Sequence, residues 1–225
     1  MKKGLLIIAI AMLAGFTANA QLSVGAGYQG QNRTTSMSSN TAAFSQPEQS
    51  NWFNGFYVGA NYNVQLVAGL NIAPGLHFTC NKFSEKETIA GTEFESKEVE
   101  MGIKVPVLLN YRFGFNRDRF IIAPYLGLTF GFVISDKETA TGGGIETTID
   151  AYDKDAWDGE HTPSRFDMFT SVGIMFMFNE HYRVNVGYDL SLLNRYSPLH
   201  QEVMGVTLDP KMSMGNLNIG VGFEF

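Results

Sequence analysis

The sequence predicts an all-β fold, an eight-stranded antiparallel up-and-down transmembrane β-barrel. Three observations predict it. First, apolar and polar residues alternate with a period of two in eight segments, which is typical of strands with one apolar face. Second, most of these segments are roughly 10–15 residues long, whereas strands of soluble proteins average about 5–6 residues and membrane-spanning strands need about 9–11. Third, long and short connections alternate between the segments.

The first twenty residues are predicted to be a signal peptide. Lys2 and Lys3 precede an apolar run from Leu5 to Phe16, and Ala18-Asn19-Ala20 follows it. A basic start, a short apolar run and an Ala-x-Ala site are the marks of a secretory signal that is cleaved before Gln21. The run is too short for a spanning helix, which needs about 20 residues. We therefore expect residues 1–20 to be the signal peptide and residues 21–225 to be the barrel domain.

Composition excludes several classes of protein. Without the signal peptide the chain carries 14 basic and 22 acidic side chains, a net charge of −8, so it lacks the basic surface that nucleic acid requires. Cys80 is the single cysteine, which excludes an internal disulfide and a cysteine-based zinc site. Outside the signal peptide, no segment is apolar for long enough to be a transmembrane helix.

The predicted strands follow one another along the mature chain. They are 22–29, 56–64, 71–83, 98–111, 119–133, 165–178, 182–191 and 214–225. The alternation is purest in the last strand, where Leu217, Ile219, Val221, Phe223 and Phe225 share one face and the other face is polar or glycine.

The apolar face of these strands is predicted to point outward, toward lipid. Glycines recur on the polar face, where a narrow lumen needs room for larger neighbouring side chains, whereas on a solvated face they would only weaken the sheet. The predicted short connections are 65–70, 113–118 and 179–181, and the long ones are 30–53, 84–97, 134–164 and 195–213. Aromatic residues cluster near the short connections, as in an interfacial girdle: Tyr62, Tyr111, Phe120, Phe178, Tyr182, Phe223 and Phe225.

Two features resemble known outer-membrane sequences. The final strand ending in Phe225 resembles the C-terminal signal that barrel-insertion machinery reads. Lys104–Phe113 (KVPVLLNYRF) and Ala123–Gly127 (APYLG) resemble motifs of the PorT-like outer-membrane β-barrel family, with Asn110 in place of the usual basic residue. The resemblance implies a Gram-negative outer-membrane barrel of about eight strands, of OmpA/OmpX-like size. It implies outer-membrane lipid and the barrel-assembly machinery as partners.

The connection 134–164 is strongly acidic. It holds eight acidic and two basic residues, and Asp153–Gly159 resembles a calcium loop without matching the EF-hand spacing. A solvated acidic loop is therefore favoured over a cation site. We expect connections 134–164 and 30–53 to lie outside the cell, where an extracellular ligand or a protein partner would meet them.

Charged residues on the predicted lumen face indicate how the barrel interior is filled. They are Glu100, Lys104, Arg112, Arg183, Asp189 and Glu224, with His77 beside them. In a barrel of about eight strands the interior is just wide enough for side chains, so a salt-bridged plug is favoured over a solute path.

No catalytic, cofactor-binding or metal-binding residues are predicted. His77, His161, His181 and His200 have no nucleophile at a diagnostic spacing. The predicted function is therefore a non-enzymatic outer-membrane protein with a binding, adhesion or envelope-supporting role. A small-solute channel, a lipid-modifying enzyme and an accessory component of protein secretion remain alternatives.

Overall fold

The computed structural model describes residues 20–89, 92–116, 119–154, 162–203 and 205–225. The predicted signal peptide, apart from Ala20, lies outside the described residues. No helix in the described part of the chain is long and apolar enough to cross a membrane.

Eleven strands make up one antiparallel sheet in the described chain. Eight are long: β1 (Ala20–Ser39), β2 (Gln46–Val67), β3 (Leu70–Ile89), β4 (Thr92–Tyr111), β6 (Phe120–Gly142), β8 (Phe166–Phe178), β9 (Tyr182–Ser191) and β11 (Val206–Glu224). Three are short: β5 (Phe113–Phe115), β7 (Ile145–Asp150) and β10 (Gln201–Val203). Single 3-10 turns lie at Ala42–Phe44 and Ser197–Leu199.

The eight long strands form a closed ring. Each pairs with its neighbour in the order β1-β2-β3-β4-β6-β8-β9-β11, and β11 pairs back onto β1 from Ser23↔Glu224 to Ser39↔Leu208. Because the ring is closed, the long strands have both edges paired through most of the barrel. The predicted eight-stranded antiparallel up-and-down architecture is confirmed.

The two faces of the ring are inverted relative to a soluble protein. The alternating apolar residues point outward and stay exposed, among them Val58, Leu126 and Val221. The buried side chains of the ring are largely polar or charged, as on the lumen face of a membrane barrel. A small apolar cluster of Ile121, Ala123, Met175 and Met177 fills the interior near the short-turn end.

Aromatic side chains form the predicted girdle at the short-turn end. Ring centroids lie 5.4 Å apart for Phe120 and Phe178, and 5.5 Å apart for Tyr182 and Phe223. Phe225 continues the series, 5.0 Å from Phe223. Such rings suit a membrane–water interface, so this end marks one boundary of the apolar band.

The predicted long connections are wrong in extent, because most of their residues are in strands. β1 and β2 continue through most of 30–53, β3 and β4 through most of 84–97, and β11 begins at Val206 within 195–213. In 134–164, β6 continues to Gly142 and β7 follows. Beyond the apolar band both strand faces meet water or polar neighbours, so the period-two pattern disappears although backbone pairing continues.

Three of these continuations and β7 form a sheet that we call the outer sheet. It consists of residues 84–89 of β3, 92–97 of β4, 137–142 of β6, and β7. Its last hairpin turns at Gly143 and Gly144, whose φ angles of 58° and 84° suit a two-residue turn that needs positive φ at both positions.

Candidate functional site

The lumen is the site that the sequence analysis singled out, and the structure places all seven predicted lumen residues inside the ring. The six charged ones each lie in an ion pair. His77 has a ring nitrogen 3.1 Å from the Asn61 side-chain oxygen. These pairs are arranged on three levels along the barrel.

The level nearest the short turns is built around Glu224, whose side chain is fully buried. An Arg112 guanidinium nitrogen lies 2.7 Å from Glu224 Oε1, and an Arg183 nitrogen lies 3.7 Å from Oε2. The Asn63 amide also donates to Oε2 at 3.0 Å. Arg112, which follows β4, reaches Glu224 on β11 from across the ring, and Arg183 reaches it from the adjacent strand β9, so the two arginines fill this end of the lumen.

The middle level combines an ion pair with a small polar cavity. Lys104 Nζ lies 3.4 Å from Asp189 Oδ2, and the Asn218 amide donates to the same oxygen at 2.9 Å. The cavity beside this pair has a volume of about 90 Å³, which is room for a few water molecules.

Glycines make the middle level possible. A Cβ atom at Gly187 would overlap the Tyr125 hydroxyl, and one at Gly220 would overlap the Tyr57 hydroxyl. Both tyrosines line the cavity. The lumen glycines therefore provide room for large neighbouring side chains, as the sequence analysis expected.

The outer level is a cluster of five charged side chains, which we call the outer cluster: Arg33, Glu98, Glu100, Asp136 and Arg195. Glu100 Oε2 accepts from Arg33 at 2.9 Å and from Arg195 at 2.7 Å. Arg33 also pairs with Glu98, and its guanidinium lies 3.5 Å from Asp136. Glu100 on β4 lies three strands around the ring from both β1 and β9, so its contacts with the two arginines span the lumen.

Arg195 reaches the lumen from the connection that follows β9. Its backbone oxygen accepts from the Ser164 amide at 2.7 Å, and its Nε donates to the Ser164 oxygen at 3.2 Å. The guanidinium also donates to the Tyr152 hydroxyl. Burial raises the pKa of Tyr152 to about 12, so this hydroxyl stays neutral beside the arginine. The side chain of Arg195 is 2% exposed and caps the outer cluster.

The outer cluster holds three carboxyl groups and two guanidinium groups. Asp136 lies beyond the outward-facing apolar band, which on β6 runs from Phe120 to Ile134. Burial raises the pKa of the Asp136 carboxyl well above its ordinary value, although the nearby Arg33 lowers it. A proton on Asp136 at neutral pH leaves two carboxylates for two arginines, so the cluster is then electrically balanced.

Sequence reasoning missed four members of the outer cluster: Arg33, Glu98, Asp136 and Arg195. Arg33 and Glu98 continue the inward positions of their strands, two residues beyond Gln31 and Glu100, so extending the alternation would have placed them. Asp136 was assigned to a solvated loop, which is wrong, since it is 3% exposed inside the ring. Arg195 follows no strand pattern, and no sequence signal points to it.

The other predicted features lie outside the lumen or outside the described residues. Residues 155–161 are not described, so His161 and much of the calcium-like segment fall outside the structure. No group of side chains able to hold a metal ion occurs among the described residues. His181 stacks on Phe223 at 5.4 Å, and His200 lies 3.6 Å from Asp209.

The inverted, closed ring with an ion-paired lumen defines a membrane β-barrel. The sequence profile of the outer membrane protein beta-barrel domain family matches residues 5–225, and the chain belongs to that family. It is an outer-membrane β-barrel protein. No curated protein matches the sequence.

Three solved structures match this chain over most of its length. Ail, the attachment invasion locus protein of Yersinia pestis, has a TM-score of 0.40 and 13% identity, covering 92% of this chain and 99% of its own. OprG from Pseudomonas aeruginosa has a TM-score of 0.42 and 11% identity, covering 92% and 96%. Neisserial surface protein A has a TM-score of 0.37 and 14% identity, covering 89% and 99%.

Proposed function

We propose that this is a non-enzymatic outer-membrane protein with a plugged lumen, whose outer end binds a partner outside the cell. The observation that carries the proposal is the ion-paired filling of the lumen on three levels. Removing one partner of a buried ion pair costs about 3–5 kcal/mol, so a solute path through all three levels would be energetically expensive.

The outer end supports a binding role. Seven acidic and three basic side chains lie on the outer sheet, and the long strands carry it beyond the apolar band. An electrically biased surface held on a rigid sheet suits selective contact with a partner. Segments 30–53 and 134–164, both mainly strand in the described part of the chain, are the proposed contact regions.

Three further proposals accompany this one. Residues 1–20 direct export and are removed before Gln21. The C-terminal strand ending in Phe225 is read by the barrel-assembly machinery. Segments Lys104–Phe113 and Ala123–Gly127 support assignment to the PorT-like branch.

Planar-bilayer conductance tests the plug. Refolded residues 21–225 should give no reproducible open steps under conditions in which a porin, refolded in the same way, conducts. Sizeable and reproducible steps would replace the plugged barrel with a small-solute channel.

Crosslinking in cells tests binding at the outer end. A photoreactive residue at Thr147, on exposed β7, should give defined protein adducts, and the same residue at Val58, on the lipid face, should not. A binding role would be contradicted if Thr147 and Val58 gave identical adducts. It would also be contradicted if neither Thr147 nor a second outer position, such as Gln49, gave any adduct.

A further inference from the structure

We infer that the outer sheet docks an extended, basic segment of a partner protein, which adds to β7 as one more strand. This inference rests on the proposed binding role of the outer end and names the surface and the chemistry of the partner. Three independent features of the outer sheet carry it: an open strand edge, an apolar hollow and unpaired carboxylates.

The open edge belongs to β7. Among the described residues β7 pairs with β6 alone, in the register Ile145↔Gly142 to Asp150↔Lys137. The Ala151 amide donates to the Asp136 oxygen at 2.9 Å, which extends the same register. Since bonded positions alternate in an antiparallel pair, the odd-numbered residues of β7 bond to β6. The N–H and C=O groups of Glu146 and Thr148 therefore point to the open edge.

The apolar hollow lies on the lumen-side face of the outer sheet. It has a volume of about 340 Å³ and is lined by Phe94, Ala140, Gly142 and Ile145, with Glu85 and Glu87 beside them. Phe94 is 42% exposed and Ile145 is 71% exposed. Apolar side chains that face water next to a free strand edge are the features by which a sheet accepts an added strand.

The charge of this face selects the partner. On the opposite face, Lys86 pairs with Glu93 and Lys97 pairs with Glu95, each at 2.7 Å. Glu85 and Glu87 have no ion-pair partner among the described residues. Glu138, on the same face, accepts a hydrogen bond from Ser96 at 3.1 Å. An added strand that alternates basic and apolar residues can turn its basic side chains to this face, with their aliphatic stems against the hollow and their charges toward the carboxylates on its far side.

A second copy of this chain is a poorer occupant. The outer sheet carries a net charge of −4, and pairing two β7 edges would bring two such sheets together. Natural edge strands are protected from self-pairing by charge in this way, and the same charge attracts a basic partner.

Peptide binding to the mature protein in zwitterionic lipid nanodiscs tests the inference. The probe is a fluorescein-labelled ten-residue peptide of alternating Lys and Val with blocked ends, followed by fluorescence anisotropy. We expect saturable binding that weakens with salt. An alternating Glu–Val peptide, and the Lys–Val peptide with alternate amides methylated, should bind at least about tenfold more weakly, since the first has the wrong charge and the second cannot complete a ladder.

Variants of the protein locate the site. Thr148→Pro removes an amide from the open edge but not from the β6 ladder, and it should weaken binding at least about fivefold, whereas Thr148→Val keeps the amide and should bind like wild type. The double variant Glu85→Gln/Glu87→Gln should weaken binding by a similar factor, and Glu202→Gln on β10 serves as its charge control. Heat-modifiable gel migration verifies that each variant is folded.

Several results would overturn the inference: no binding of the Lys–Val peptide, equal binding of the methylated peptide, or binding unchanged by Thr148→Pro. Any of these outcomes, combined with specific crosslinks at Thr147 in cells, would reject the added strand while leaving the outer-end binding role intact. Loss of those crosslinks at every outer position would reject the binding role itself.

Discussion

The chemistry of the lumen is decided by a few side chains at single positions. Glu100 accepts from two arginines that come from β1 and from the connection after β9, so one carboxylate joins distant parts of the chain. Asp136 stands beside the same arginines at 3.5 and 3.9 Å, but burial raises the pKa of its carboxyl well above the ordinary value. We therefore expect the two acids to differ: Glu100 balances the charge of the arginines, and Asp136 keeps its proton in the folded protein.

This difference predicts opposite effects of two conservative substitutions. Glu100→Gln should lower the free energy of unfolding by about 3 kcal/mol, at the low end for a buried pair because Asp136 then ionises in its place. Asp136→Asn should leave stability unchanged at about pH 4 and below, where the unfolded chain also keeps most of that proton. Urea unfolding of the refolded protein in detergent, followed by gel migration, measures both.

The pH dependence separates the two acids further. The Asp136 pKa is raised on folding, so the folded protein keeps a proton that the unfolded chain releases above about pH 4. The stability of the wild type should therefore fall as pH rises from there toward the raised pKa, and Asp136→Asn should be the more stable protein at pH 9. If Glu100→Gln and Asp136→Asn lowered the free energy of unfolding equally at every pH, the expectation that Asp136 keeps its proton would be wrong.

At the scale of the element, the closing strand β11 combines packing with a proposed role in assembly. The Phe225 amide donates to the Leu22 oxygen at 2.9 Å, beside the seam where β11 meets β1. Phe225 is 66% exposed, and its ring lies 5.0 Å from the girdle ring of Phe223. Its backbone helps to close the seam, whereas its side chain contributes little burial.

Phe225→Ala keeps the amide and removes only the ring, so it tests recognition by the assembly machinery. We expect it to lower the yield of protein in the outer membrane far more than Val58→Ala, a change at a lipid-facing position that is 48% exposed. After refolding in detergent, both variants should keep nearly normal stability, since one exposed side chain contributes at most about 1.5–3 kcal/mol. Equal yields in cells would show that Phe225 is ordinary girdle packing.

At the scale of the whole molecule, the ring fixes which parts share a side of the membrane. The ends of β1 and β11 lie at the same end as the β2–β3 turn, because Ser23 pairs with both Glu224 and Asn61. The outer sheet lies at the opposite end. We expect the short turns to lie in the periplasm, which, with an even number of long strands, would place both termini in the periplasm and β7 outside the cell.

Epitope insertion tests this orientation. A tag between Gly143 and Gly144, in an exposed turn, should be detected on intact cells. A tag between Ala68 and Gly69, in the β2–β3 turn, should be detected only after the outer membrane is made permeable. Detection of the second tag on intact cells, or of the first only after permeabilisation, would reverse the orientation.

The sequence by itself determined the membrane barrel. Within the apolar band each strand has lipid on one side and a narrow polar lumen on the other, so apolar and polar residues alternate strictly along it. This alternation predicts the number of strands, the face that meets lipid and the position of the aromatic girdle. It also identified the lumen charges of the two inner levels, because Lys104, Asp189 and Glu224 stand at alternating positions. Beyond the band both faces of a strand are polar, so the alternation is lost. Loops were therefore predicted at positions where the backbone continues as paired strands.

Only the tertiary structure decided how the outer end is built. Arg195 enters the lumen from an irregular connection, and Asp136 meets it from a segment that was expected to be solvated. Their meeting depends on ring closure, which brings residues far apart in sequence within ion-pair distance. The open edge of β7 likewise depends on which neighbour a strand lacks, and pairing between strands is a property of the assembled sheet rather than of any local pattern.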